Sequence, residues 1–263
     1  MQATAVILGS AFGPDFAKRF DPAPLSVKTE WGIAKVHVFA EAPRSAPAYA
    51  IFRHELPHRL LPNQINYRAN AAALRQLDCR ALLVNSSVGV LDPKIPLFHP
   101  MLVSDLLMPE NRLPDGSACT MFPQPVSGQG HLALDEGLLS SALSEAVHAL
   151  DPKSVRPARQ GLVFAYAGGP RTKTPAENAA LARLGAQVNS MTLAPEIVLA
   201  NELEIPCAAL VAGHKLSIPG VAIPDGAGIA ASLEKAREAT ERLLLSFLSK
   251  VGPAPFRNRI HRF

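Results

Sequence analysis

The chain has 263 residues, 48% of them hydrophobic and 18% charged, enough to bury a substantial core without a disulfide or metal staple. Its formal charge of +4 comes from 26 basic and 22 acidic residues scattered along the sequence, and no basic run is long enough to follow a nucleic-acid backbone, so nucleic acid is not expected as a partner. Cys79, Cys119 and Cys207 are odd in number and far apart, which argues against a disulfide framework and a paired-cysteine metal site. With no basic leader and no segment of membrane-spanning length, the chain is expected to be soluble, cytoplasmic and free of membrane partners.

In chain order, short apolar runs with turn-forming neighbours predict strands over residues 5–9, 36–40 and 48–53, followed by a helix over 66–77 and a strand over 81–84. Residues 93–130 are rich in Pro, Gly and Ser and read as long loops around one strand near 97–107. A helix over 136–150, a strand over 162–166, helices over 175–184 and 195–203, a strand over 207–212 and a final helix over 229–250 complete the pattern. Thr174, Pro175 and Glu177 form a capping-box signature at the start of the 175–184 helix. This alternation predicts an α/β layered fold with a single domain over 1–252. The basic tail 253–263 is expected to be a solvated terminus or a strap over a neighbouring subunit.

One short unit has the layout of an anion site. Arg53 supplies a planar fork of donors, His54 and His58 supply imidazole nitrogens, and the turn Asn85-Ser86-Ser87 offers amides and hydroxyls. Phosphate is the natural guest. The glycine-bearing turn Gly9-Ser10-Ala11-Phe12-Gly13 after the first strand adds Ser10 as a further candidate. For His58, a ligand contact and a purely structural role in its loop are equally compatible with the sequence.

These segments resemble the trimeric purine nucleoside phosphorylases, above all the methylthioadenosine and methylthioinosine phosphorylases. Arg53 and His54 match that family's Arg-His phosphate pair, and the stretch from Pro62 to Asn70 resembles its Pro-x-x-x-Asn-Tyr-x-Ala-Asn string. The Asn85-Ser86-Ser87-Val88-Gly89 segment stands where the family has a phosphate- and sugar-binding turn. Residues 186–196, ending Ser190-Met191-Thr192-Leu193-Ala194-Pro195-Glu196, resemble its Gly-Met-Ser-Thr-Val-Pro-Glu segment. The resemblance implies phosphate binding by Ser10, Arg53, His54, Ser86, Ser87 and Thr192, with Met191 under the ribose. It further implies a central mixed, partly barrel-like β-sheet flanked by helices, a homotrimer, and phosphorolysis of a nucleoside or 5′-modified nucleoside. Inorganic phosphate would be co-substrate, with neither metal nor separate cofactor.

The base side departs from the family pattern. Gly213-His214-Lys215 replaces the usual Asn or Asp-x-Asp, and Gly168-Gly169-Pro170-Arg171-Thr172-Lys173 replaces a segment bearing a stacking aromatic and an acid. Gly169, Lys173, Gly213 and His214 are therefore the candidate base contacts, with His214 or Lys215 as catalytic donor to the leaving base, and base specificity is expected to be altered. A nucleoside hydrolase and a non-catalytic nucleoside- or phosphate-binding homologue are the competing readings.

Overall fold

In Thr-Ala-Val-Ile-Leu near the N-terminus, alternate side chains enter two separate cores, Ala5 and Ile7 on one side and Val6 and Leu8 on the other. A strand apolar on both faces belongs between helix layers, and that is where this one lies. The computed structural model describes residues 2–21, 23–40, 46–218, 220–221 and 225–263. The elements in order are β1 (Ala3–Leu8), α1 (Pro14–Ala17), β2 (Leu25–Thr29), β3 (Gly32–Val38), β4 (Ala48–Phe52), α2 (Tyr67–Gln76), β5 (Cys79–Val90), β6 (Pro100–Leu102) and β7 (Asp105–Leu107). They continue with β8 (Gly130–Ala133), α3 (Ser141–Leu150), β9 (Val163–Tyr166), α4 (Pro175–Arg183), β10 (Val188–Ser190), α5 (Ala194–Glu202), β11 (Cys207–Leu216), α6 (Gly226–Lys250) and β12 (Arg259–Arg262).

The mixed main sheet runs β2-β3-β4-β1-β5-β10-β9-β7, with β11 paired to β5 and β6. The long β5 strand is its hub. Its first half pairs in parallel with β1, its last residues pair antiparallel with β10, and β11 follows it in parallel from Leu82 to Val90. Helices α2 and α5 cover one face through Ala73, Leu74, Ile197 and Ala200. The other face is covered by α3 and α6 through Leu143, Val147, Leu244 and Phe247, together with a cluster of Phe12, Phe16, Phe20, Phe39 and Phe52. No helix among the described residues is long and apolar enough to cross a membrane.

The helix starts follow local chemistry. Asn66 caps α2 by accepting from the Ala69 amide at 3.0 Å, and Asp225 caps α6 by accepting from Gly228 at 2.7 Å. The expected capping box opens α4: Thr174 Oγ1 accepts from the Glu177 amide, and the Glu177 carboxylate accepts from the Thr174 amide.

Three local expectations are corrected. Asn85-Ser86-Ser87 is continuous β5 strand, because β11 hydrogen-bonds alongside it and leaves no room for a turn. Gly213-His214-Lys215 likewise belongs to β11. The C-terminal segment pairs antiparallel with β8 in a small second sheet, where Arg259 forms an ion pair with Asp135 and Arg262 with Glu204. Asn258 anchors it from inside, accepting from the Asp135 and Glu136 amides and donating to Gly137 O and Asn201 Oδ1.

Candidate active site

The ends of β1, β4, β5, β10 and β11 open into one cleft of about 290 Å³, lined by Ser10, Arg53, Ser86, Ser87, Met191, Thr192, Lys173, His214 and Lys215 among others. Grouping of functional side chains at strand ends is the general habit of α/β sheets.

Arg53 follows β4 and is 2% exposed. Its Nε lies 2.7 Å from Glu196 Oε1, Nη2 donates to Asn85 O at 2.8 Å and to Ile7 O at 3.5 Å, and Nη1 donates to Thr192 Oγ1 at 3.0 Å. A guanidinium has five N–H donors: Nε faces Glu196 as an ion pair without hydrogen-bond geometry, three of the other four are given to protein oxygens, and one on Nη1 remains for the cleft. Arg53 is thus a fixed charge with one free donor, and most of its fork is committed to protein acceptors. Glu196 is equally buried, behind Arg53; burial pushes its carboxyl up against the pull of the guanidinium.

Hydroxyls continue this end of the cleft. Ser86 Oγ lies 3.1 Å from Ser190 Oγ, which lies 3.5 Å from Thr192 Oγ1. Thr192 is aimed by an unusual backbone: Leu193 has φ 78° and ψ −56°, with the Ala194 amide bonded to Thr192 O, a γ-turn costing about 1–3 kcal/mol. The fully buried Leu193 side chain holds that conformation, and α5 starts directly after it. Gly9 completes the wall, since a Cβ there would sit 3.5 Å from Arg53 Nη1. Met191 lines the cleft with Pro62.

At the other end, β11 carries a bulge between Gly213 and Lys215. The extra residue breaks the alternation of a regular strand, so the consecutive His214 and Lys215 both line the cleft. Ser232 on α6 donates its hydroxyl hydrogen to Ile229 O at 2.8 Å, so His214 Nδ1, 3.3 Å from Ser232 Oγ, must be the donor in that pair. Burial and nearby Lys215 bring the His214 pKa down to about 4. Near neutral pH the ring is therefore uncharged, with Nε2 as an acceptor. Lys173 lies on the loop before α4. Burial, then repulsion from Lys215, brings its pKa down to about 8, and burial lowers that of Lys215.

Three expected contacts do not reach the cleft. His54 turns into its own loop, where Nδ1 lies 2.8 Å from Leu60 O and the ring packs on His58; burial and Arg53 bring its pKa down to about 4. Gly213 faces the core, where a Cβ would lie 2.6 Å from Val90 Cγ2. Gly169 sits behind Met191, 2.7 Å from its Sδ at the Cβ position, so its role is to give that side chain room. Conversely, Ser190 and Gly89 line the cleft without having been candidates. Ser190 could have been suspected from its place beside Met191 and Thr192, but Gly89 carries no signal apart from its neighbours. A Cβ on Gly89 would lie 2.3 Å from Ser217 Oγ.

The fold is that of a nucleoside phosphorylase-like α/β protein. The chain belongs to the phosphorylase superfamily, whose family model matches residues 46–249. It is 32% identical over 207 residues to a probable S-methyl-5′-thioinosine phosphorylase of Methanopyrus kandleri, covering 78% of this chain and 75% of that protein. A protein of Pseudomonas syringae pv. tomato with the same description is 35% identical over 161 residues, but the match covers 60% of this chain and 63% of that protein. Among solved structures, methylthioadenosine phosphorylase from Schistosoma mansoni in complex with adenine superposes with a TM-score of 0.79 over 94% of this chain and 91% of its own, at 18% identity, a likeness of fold.

Proposed function

We propose that the protein is a pentosyltransferase that cleaves the N-glycosidic bond of a nucleoside or 5′-modified nucleoside with inorganic phosphate, giving free base and pentose 1-phosphate. The observation that carries this reading is the composition of the cleft: a buried arginine ringed by hydroxyls, and no carboxylate among the described lining residues. Hydrolysis needs a base to activate water beneath the sugar, and the neutral His214 stands at the opposite end of the cleft from Arg53. Glu196, the acid nearest to Arg53, is already engaged with the guanidinium from behind.

In this mechanism phosphate sits against Arg53 Nη1 and the hydroxyls of Ser10, Ser86, Ser87, Ser190 and Thr192. An oxygen of the phosphate attacks C1′ from below as the C–N bond breaks, with its electron pair passing to the base nitrogen. The fixed anion orients the nucleophile and stabilises the positive charge that develops on the sugar. Met191 offers an apolar floor to the pentose. The neutral His214 accepts from an N–H of the base, and Lys215 donates to the leaving base. No further cofactor is required by this chemistry. The reading carries with it a cytoplasmic homotrimer, as in the resemblance described above.

Phosphate dependence is the test. Base release should be absent without phosphate and saturate as phosphate is added, with pentose 1-phosphate formed one for one. Release of free pentose at a rate indifferent to phosphate would instead identify a hydrolase, and binding without release would identify a non-catalytic homologue.

A further inference from the structure

We propose that Lys173 and Lys215 form an anion subsite at the end of the cleft away from Arg53, and that the substrate is a nucleoside whose base carries a negatively charged oxo or carboxylate edge. The inference rests on the phosphorolytic reading and names its substrate class.

Three observations carry it. First, the two ammonium groups line the same cleft and repel each other, yet among the described residues neither has an ion-pair or hydrogen-bond partner there. The acid whose charge reaches Lys173, Glu177, is taken up by Arg171 through both carboxylate oxygens and by the Thr174 amide. Two partly buried cations held together without a counter-ion cost free energy in the empty protein, and an anion between them recovers it. Second, the distance fits. Lys215 pairs with Gly89 in the β5–β11 register, three residues beyond Ser86, which at about 3.3 Å per residue puts the lysine end roughly 10 Å along the strand from the Arg53 end. That span accommodates a pentose and a heterocycle between two anionic groups. Third, His214 Nε2 is an acceptor at the same end, so the subsite combines one acceptor with two cationic donors. It thus matches a ring presenting an N–H beside an anionic oxygen.

The test compares xanthosine and orotidine, whose bases carry an ionised oxo edge and a carboxylate, with the neutral inosine and guanosine, and with inosine bearing a 5′-carboxylate. Turnover is measured in wild type, Lys173→Gln and Lys215→Gln, and calorimetry measures binding of free xanthine, orotate and inorganic phosphate. The expected result is a wild-type preference for at least one of the two anionic-base nucleosides. Lys173→Gln should reduce that substrate's kcat/KM by about ten- to a hundredfold, several times more than for inosine; Lys215→Gln also removes the donor to the leaving base and should slow every substrate, and both variants should weaken binding of the corresponding free base. Preference for a neutral base, or for the 5′-carboxylate, would overturn the proposal. So would equal losses on all substrates in Lys173→Gln, or free-base binding unchanged in both lysine variants. The two readings fail separately: lysine-dependent binding of an anionic base without phosphorolysis leaves the subsite and removes the reaction, whereas phosphorolysis of neutral nucleosides without anionic-base binding does the reverse.

Discussion

Replacing Glu196 by Gln keeps the side-chain volume but removes the charge 2.7 Å from Arg53 Nε. Both side chains are essentially without solvent contact, so the guanidinium is left as an uncompensated buried cation, which costs about 3–5 kcal/mol. At about 2–4 °C per kcal/mol for a chain of this size, the melting temperature should fall by roughly 6–20 °C. Phosphate binding to the folded state offsets part of the loss, by about 2.7 kcal/mol at a concentration a hundred times its Kd. The rise in melting temperature on adding phosphate should therefore be larger in Glu196→Gln than in wild type, because the anion replaces the lost countercharge. Arg53→Met should be destabilised to a similar degree and show no phosphate-dependent rise. The double variant Arg53→Met/Glu196→Met, which removes both charges, should recover most of the stability and none of the phosphate response. Calorimetric melts of the four proteins with and without phosphate make the comparison. Unchanged stability in Glu196→Gln, or a phosphate response that survives loss of Arg53, would refute the assignment of this pair as the charged floor of the site.

Gly169→Ala should raise KM for the nucleoside while leaving the phosphate Kd within about twofold, because the new methyl displaces Met191 and not Arg53, at an overpacking cost of about 1–3 kcal/mol; steady-state kinetics with each substrate varied separately read this out. For a substrate with an anionic base, kcat/KM should fall as pH rises through about 8, where Lys173 in the free enzyme loses its proton. The charged groups acting on Lys173 are Lys215 and Arg171, which lower its pKa, and Glu177, which raises it, so Lys215→Gln should move the alkaline limb of the profile to higher pH. The sign for stability is opposite: a lysine whose pKa is depressed on folding destabilises the charged form, so its penalty is present below about 8 and disappears as pH rises toward the unfolded value of 10.5. Asn258→Ala should destabilise the chain by about 2–4 kcal/mol, because it leaves buried groups on both sides of the C-terminal anchor unpaired, and chemical denaturation measures the loss.

The elements with strong apolar periodicity or explicit caps were readable from the sequence. The strands β1, β4 and β9 and the helices α2, α4 and α5 lie within a few residues of expectation because burial on both faces, Asn66, or the Thr174–Glu177 box marks them locally. The β2–β3 hairpin was not foreseen in full. Its two-residue turn is Glu30-Trp31, with neither Gly nor Asn at the central positions, and β2 is partly exposed without a clean alternation. Arg53 and Thr192, singled out by their motifs, both line the cleft, but the degree to which Arg53 is consumed by Glu196, Asn85 and Thr192 was not legible, since those partners come from distant segments. His54 shows the limit of reading neighbours along the chain: the backbone turns immediately after Phe52, and the imidazole goes to Leu60 O while Arg53 goes to the cleft. The joint presence of His214 and Lys215 in the cleft depends on a bulge that no composition announces.

A crystal structure of the protein with inorganic phosphate at saturating concentration reads the anion site directly. Tetrahedral density is expected within hydrogen-bond distance of Arg53 Nη1, Ser86 Oγ and Thr192 Oγ1, with His54 still turned toward Leu60. Phosphate bound elsewhere with this pocket empty, or held by His54 in place of Arg53, would contradict that placement.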